Sequence, residues 1–187
     1  MKRLSLTVLL LLLATSCFAG FGMQVVASAP AGCAGCATDT VDQEQTDTTW
    51  GSGMTTGVAK GQSFQVSKTG KISAIAFYMN HQGTDHDIEI RWGKSNNLGT
   101  YIANGTARVT ADGWYKITFA TKEDVSTGTT YYCGVAQTSS GGTQLEVRGD
   151  NSSPTYASGS YYYGSSGWNM TDPLEDRDLA FRVYLCD

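Results

Sequence analysis

Residues 88–92 read IEIRW, and their alternation decides the fold class. Ile88, Ile90 and Trp92 fall on one side of an extended chain, Glu89 and Arg91 on the other. Successive strand side chains point to opposite faces, so this period of two marks a half-buried strand and not a helix. WYKITF (114–119) repeats the pattern, with Tyr115, Ile117 and Phe119 inward and Lys116 and Thr118 outward. AFRVYL (180–185) does so again, with Phe181, Val183 and Leu185 inward and Arg182 and Tyr184 outward. LEVR (145–148), GQSFQVS (61–67), KISAIAFYM (71–79), TYIANGTARV (100–109), TTYYCGVAQ (129–137) and SGSYYYG (158–164) complete the set. Gly- or Asp-containing turns separate these runs, and no stretch carries a convincing helical period. The chain therefore predicts an all-β fold: one antiparallel, jelly-roll-like β-sandwich of about nine strands over residues 38–187.

The residues before the sandwich predict export. Lys2 and Arg3 open the chain, and Leu4 to Ala14 form an apolar run of signal-peptide length, too short to span a bilayer. Cys17-Phe18-Ala19 leads to a cut before Gly20, which makes 1–19 the signal peptide. Ala14-Thr15-Ser16-Cys17 is a loose lipobox, so the alternative is a lipoprotein signal with Cys17 acylated. Residues 20–37 are small and unpatterned and read as a flexible tether. The expected localisation is secreted or cell-surface, with membrane contact only through the signal segment or a lipid anchor.

Charge and motifs exclude several function classes. The whole chain carries −4, and loss of Lys2 and Arg3 with the leader makes the mature chain about −6. No basic stripe exists to neutralise phosphates, so nucleic acid is not an expected partner. About 165 mature residues suffice for one domain with a core. His81 and His86 are the two histidines, both in NHQGTDHD. There is no GxSxG elbow, HExxH, Walker loop or GxGxxG after a strand. Glu89, Glu123 and Glu146 are carboxylates that a glycosidase reading could recruit, but alternation puts Glu89 and Glu146 on solvated faces.

Several longer segments occur in a familiar order: KGQSFQVSKTGKISAIAFYM, IEIRWGKSNNLGTYIANGT, GWYKITFATKEDVSTGTTYYCGV, YASGSYYYGSSGW and DLAFRVY. Over residues 41–185 the chain resembles the bacterial and archaeal exported jelly-roll domains called choice-of-anchor R, which look like carbohydrate-binding modules. Gln62-Ser63-Phe64, DVSTGTTYY and the terminal DLAFRVY carry the resemblance most clearly. It implies a surface-associated β-sandwich and supplies no catalytic residues. Fold-level likeness does not by itself assign a function.

The expected function is a non-catalytic surface module that binds glycan or adheres, its partner a polysaccharide or surface glycan. The alternatives are a purely structural surface protein and, less favoured, a polysaccharide-active hydrolase or lyase. In YASGSYYYGSSGWNM (156–170), alternation sets Tyr161 and Tyr163 on one face and Tyr162 on the other. The candidate ligand surface is Trp114, Trp168 and the outward member of Tyr161 and Tyr162, since exposed rings present flat apolar faces to sugars. No cofactor is expected beyond a structural calcium. Its candidate ligands, Asp42 and Glu44 near the first strand and Asp176 and Asp178 before the last, follow from the jelly-roll likeness and from oxygen-rich loops. Asp85, His86 and Asp87 form a weaker candidate. The alternative is that these acidic turns are simply solvated.

Cysteine placement completes the reading. Cys33-Ala34-Gly35-Cys36 lies in the tether and not at a helix start, which favours a structural bridge over redox chemistry. Cys133 alternates with Tyr131 and Val135, and in the resemblance takes an aliphatic core position. In a jelly roll the first and last strands lie side by side, near Thr38 and Leu185. The expected disulfide is Cys36–Cys186, with Cys33 as the other partner for Cys186.

Overall fold

The computed structural model describes residues 38–140, 144–152 and 156–186. Among the described residues the regular elements are all strands, in the order β1 (Asp39–Gln45), β2 (Trp50–Gly53), β3 (Lys60–Gln65), β4 (Gly70–Asn80), β5 (His86–Gly93), β6 (Ala103–Val109), β7 (Gly113–Thr118), β8 (Asp124–Val125), β9 (Thr130–Gln137), β10 (Glu146–Asp150), β11 (Tyr161–Ser166), β12 (Asn169–Leu174), β13 (Asp178–Leu179) and β14 (Phe181–Cys186). All pairings are antiparallel, in two sheets. The eight-stranded sheet runs β1-β14-β4-β10-β13, with β2 on β10 and β7 and β8 on β4. The six-stranded sheet runs β12-β11-β3-β9-β5-β6.

Fourteen strands replace the expected nine because five carry little or no alternation. β8 and β13 are two residues long. β2, WGSG, is mostly glycine and serine. β12 contains Pro173, which an edge strand tolerates because no N–H is needed on its open side. β1 has a register shift between Val41 and Gln43, and a bulge of this kind reverses facing along a strand.

The two inner faces are those that alternation assigns. Ile88, Ile90 and Trp92 of β5, Phe64 of β3 and Tyr131, Cys133 and Val135 of β9 meet Ile75 and Phe77 of β4 and Phe181, Val183 and Leu185 of β14 in one buried cluster. Phe64 and Phe181 bring the sheets together at 6.3 Å between ring centroids. Each such side chain removed from water contributes roughly 1.5–3 kcal/mol. Cys133 is a free thiol in this core, and burial raises its pKa far above the usual range, so it stays protonated.

The first and last strands pair as the jelly-roll expectation requires, with Thr40 opposite Leu185 and Asp39 opposite Cys186. Cys17, Cys33 and Cys36, with the leader and tether, lie outside the described residues.

Candidate functional site

The outer face of the six-stranded sheet begins as a trough. Gly61 of β3 and Gly134 of β9 face each other there and present no side chain. Met170 fills the space: a Cβ on Gly61 would stand 2.0 Å from its sulfur, and one on Gly134 would stand 3.3 Å from it. Leu98, Ala59 and Ala136 join Met170 in a second buried cluster, outside the main core. Two loops bring these residues in. The β11–β12 turn needs Gly167, whose φ of 56° lies in the left-handed region that glycine adopts freely. The segment after β5 is then stitched to this hairpin: Leu98 N donates to Trp168 O at 2.9 Å and Met170 N to Asn96 O at 3.1 Å. Asn96 Nδ2 donates to Met170 O at 2.9 Å.

Aromatic rings surround this plug. Tyr132, Tyr162 and Trp168 are half-buried against it. Tyr132 and Tyr162 meet edge to face at 5.6 Å. Burial first, and then Tyr132 beside it, raises the Tyr162 phenol, which keeps it a neutral hydroxyl. Trp168 covers the guanidinium of Arg91, with 4.1 Å from Cζ to the ring centroid. The same guanidinium lies 4.6 Å from the ring of Tyr101. Trp168, Arg91 and Tyr101 therefore make one continuous stack.

Arg91 is held where it is by its other contacts. Its Nε donates to Glu89 Oε1 at 2.9 Å, its Nη2 to Glu89 Oε2 at 3.0 Å and its Nη1 to Leu98 O at 3.2 Å. Glu89 also accepts from Asn104 Nδ2 at 2.6 Å. A bidentate carboxylate and two aromatic faces fix the guanidinium plane, and the guanidinium in turn spaces the rings. Tyr101, 41% exposed, is also a wall of a cleft of about 490 Å³ lined by Lys94, Ser95, Asn97, Thr100, Ile102 and Glu123.

The structure divides the four rings expected to form the ligand surface. Tyr162 and Trp168 share the face just described. Tyr161 does not belong to it: it is 1% exposed, packs edge-on to Trp50 at 5.5 Å and shares a hydrogen bond with Ser52 Oγ at 3.2 Å. Tyr161 pairs with Gln62 and takes β3's inward parity; Tyr163, opposite Lys60, shares that parity but is 42% exposed. Trp114 lies on the outer face of the opposite sheet, paired with Tyr78 in register and covered by Arg182 at 4.2 Å. Beside it Lys116 lies 3.8 Å from the Tyr184 ring and 3.2 Å from Asp39. Burial alone would raise the Asp39 carboxyl, but hydrogen bonds from Ser73 and Lys116 and the charges of Lys116 and Lys122 outweigh it and leave it lowered. Tyr132 and Tyr101 were missed. Tyr132 was accessible to the same alternation, being next to inward Tyr131 and Cys133.

The acidic candidates for calcium are not brought together. Asp42 accepts from Ser67 N at 2.9 Å and from its hydroxyl, and Glu44 pairs with Arg182 at 3.0 Å. Asp176 is exposed beside Arg177 at 3.6 Å. Asp178 is buried on Gln62 Nε2 at 2.8 Å and Tyr156 N at 3.2 Å. Tyr156 stands between the two halves, its N–H on Asp178 and its hydroxyl donating to Gln43 at 3.0 Å. Asp85 and Asp87 both pair with Arg108, whereas His86 turns inward onto Gln137 at 3.1 Å. Among the described residues no three His, Cys, Asp or Glu side chains converge. Glu89 and Glu146 sit on different sheets, each against an arginine.

No protein-family model matches the chain, and no curated protein matches it.

Proposed function

We propose that this protein is an exported, cell-surface module of the choice-of-anchor R type that binds glycan without catalysis, through the outer face of its six-stranded sheet. The leader at residues 1–19, or a lipidated Cys17, supports export, and the ordered motifs from Gln62 to the terminal DLAFRVY support the family. One observation carries the binding reading. Tyr101, Trp168, Tyr132 and Tyr162 share one face, and the first of them is exposed at a cleft with hydrogen-bonding side chains around it. Flat rings beside Asn, Ser, Lys and Glu suit the alternating C–H and hydroxyl surfaces of a sugar.

The test is affinity electrophoresis of the mature chain against a panel of soluble polysaccharides, with Trp fluorescence as a second readout. Tyr101→Ala and Trp168→Ala each weaken binding by roughly tenfold or more, as anchor rings do. Trp114→Ala, on the other sheet, leaves it unchanged. Equal loss in all three variants, or in none, overturns this surface.

A further inference from the structure

We propose that the glycan recognised on this face is an uncharged polysaccharide, and that polyuronates and sulfated chains are rejected. This inference rests on the binding reading above and concerns the chemistry of the ligand alone.

The argument is a census of charge along the face. Strands β11, β3 and β9 occupy consecutive places in the sheet. Alternation turns Tyr162, Ser63, Gln65 and Tyr132 outward from them, with Gly61, Gly134 and Ala136 between. None of these carries a charge at neutral pH. On β5 and β6 the outward charges are closed on one another. Arg91 and Glu89 form a bidentate pair whose side chains are only 18% and 12% exposed, and the guanidinium faces are covered by two rings. With three of its five N–H groups engaged, its charge matched by Glu89 and rings against its faces, this cation has little left to offer a carboxylate or sulfate. Arg108 is 57% exposed, but it pairs with both Asp85 and Asp87 at 3.4 and 3.2 Å, so that corner carries two carboxylates against one guanidinium.

Beyond these pairs, Asp172 is an exposed carboxylate on the edge strand β12, and Lys94 and Glu123 line the same cleft beside Tyr101. An anionic sugar there gains from Lys94 what it loses to Glu123. A neutral sugar gains hydrogen bonds from both. The chain's net charge of −4 adds a weak, long-range repulsion against polyanions. Ring stacking and neutral hydrogen bonding, unlike ion pairing, are nearly insensitive to ionic strength.

The experiment measures binding of the mature chain to a neutral set (β-glucan, mannan, xylan) and an acidic set (alginate, polygalacturonate, chondroitin sulfate), at about 20 mM and about 500 mM salt. Wild-type chain and Tyr101→Ala are run side by side. The expected result is binding confined to neutral polymers, changing less than about twofold with salt and lost in Tyr101→Ala. Binding confined to acidic polymers, weakened by salt and lost in Tyr101→Ala, overturns the neutral ligand and leaves the site standing. Binding that survives Tyr101→Ala, or no binding to either set, overturns the site and this inference with it.

Discussion

The side-chain amide of Gln62 clasps the opposite sheet. Its Nε2 donates to Asp178 Oδ1 at 2.8 Å while its Oε1 accepts from Leu179 N at 3.0 Å. Gln62 is on β3 of one sheet and Asp178 and Leu179 form β13 of the other, and Gln62 and Asp178 are fully buried. A glutamine can do this because it carries a donor and an acceptor side by side, matching a carboxylate and the backbone N–H of the next residue. Apolar packing holds the sheets together without choosing their alignment, whereas this pair of bonds admits one alignment. Tyr161 adds a second polar link to Ser52 of β2, so the inward-facing half of the tyrosine run serves architecture.

Removing that clasp has a pH-dependent cost. Burial raises the Asp178 carboxyl above its ordinary 3.8, the Gln62 hydrogen bond lowers it in part, and Asp150 opposite raises it again. A carboxyl raised in the folded state contributes stability that is full below about 3.8 and is lost as pH rises through its folded value. Gln62→Ala deletes a donor that favours the anion, so the folded value climbs further. The variant is predicted to lose about 2–4 kcal/mol at pH 7, from an unpaired Leu179 N–H and a poorly solvated carboxylate. At pH ~3, where the carboxyl is protonated, only the N–H part of the loss persists. Urea titrations at the two pH values check this, and equal losses at both would show that Asp178 plays no part.

Much of the sandwich was legible because alternation is a local property. Ile88, Ile90 and Trp92 had to face one way whatever the rest of the chain did, and Thr40 does lie opposite Leu185. What alternation cannot give is which of two faces is the core when both carry aromatics. Tyr161 and Tyr162 differ only in parity, and the choice is made by Gln62 and Lys60 on the neighbouring strand. Nor can it show that Trp114 and Trp168 belong to different sheets, because that depends on the long-range strand order. For the acidic candidates, likewise, sequence supplies carboxylates but not the Ser67, Arg182 and Gln62 that engage them. Tyr101 falls within the run 100–109 that reads as a strand, but β6 begins only at Ala103, so its place on the loop before it is set by tertiary structure.

The glycine trough makes a mutational prediction of its own. Gly61→Ala places a Cβ 2.0 Å from the Met170 sulfur and 2.8 Å from the Cys133 carbonyl oxygen. The sulfur can move, but the carbonyl belongs to a paired strand. The variant is predicted to lose about 1–3 kcal/mol, the usual cost of overpacking. Displacing Met170 also frees Trp168 from Arg91, so ligand affinity falls with stability. In Gly61→Ala/Met170→Ala the two losses are less than additive, because the first clash is gone. Strict additivity in a double-mutant cycle would refute the plug.

Lys60 predicts the opposite sign of effect. It faces inward, 2% exposed, with its ammonium 3.3 Å from the ring centroid of Tyr163. Burial lowers its pKa from 10.5 to about 8, with no opposing carboxylate contribution. A lysine lowered in this way penalises the fold while charged, and stability recovers as pH rises from about 8 towards 10.5. Lys60→Met retains the packing without the charge. It is predicted to be more stable than wild type at pH 7 by ~1–2 kcal/mol, since the ring offsets part of the desolvation. The gain shrinks as pH rises from 8 towards 10.5. Thermal melts of both proteins across that range test the prediction, and a gain independent of pH would place its origin elsewhere.

The register of the outermost strands carries the prediction about the cysteines. Asp39 is opposite Cys186 across the β1–β14 ladder. Cys36 precedes Asp39 by three residues, a reach of about 10 Å, so a turn of the tether can bring it to Cys186. Cys133 is free and buried on the inner face, where it donates a hydrogen bond to Gln62 O at 3.5 Å. Its in-register neighbours are Gln62 and Trp92 in the six-stranded sheet, whereas Cys186 ends β14 of the other sheet. A disulfide needs Cα atoms about 4.4–6.8 Å apart, and the ladder favours a partner from the tether. The predicted bridge is Cys36–Cys186, with Cys33 as the alternative partner. Closing nearly the whole domain, it stabilises by up to ~5 kcal/mol in the chain-entropy model, less if the ends are strained. Non-reducing peptide mapping of the exported protein is expected to recover Cys186 joined to the tether peptide and Cys133 unmodified until unfolding. Recovery of a Cys33–Cys36 loop with Cys186 unbridged would show that the tether does not return to β14.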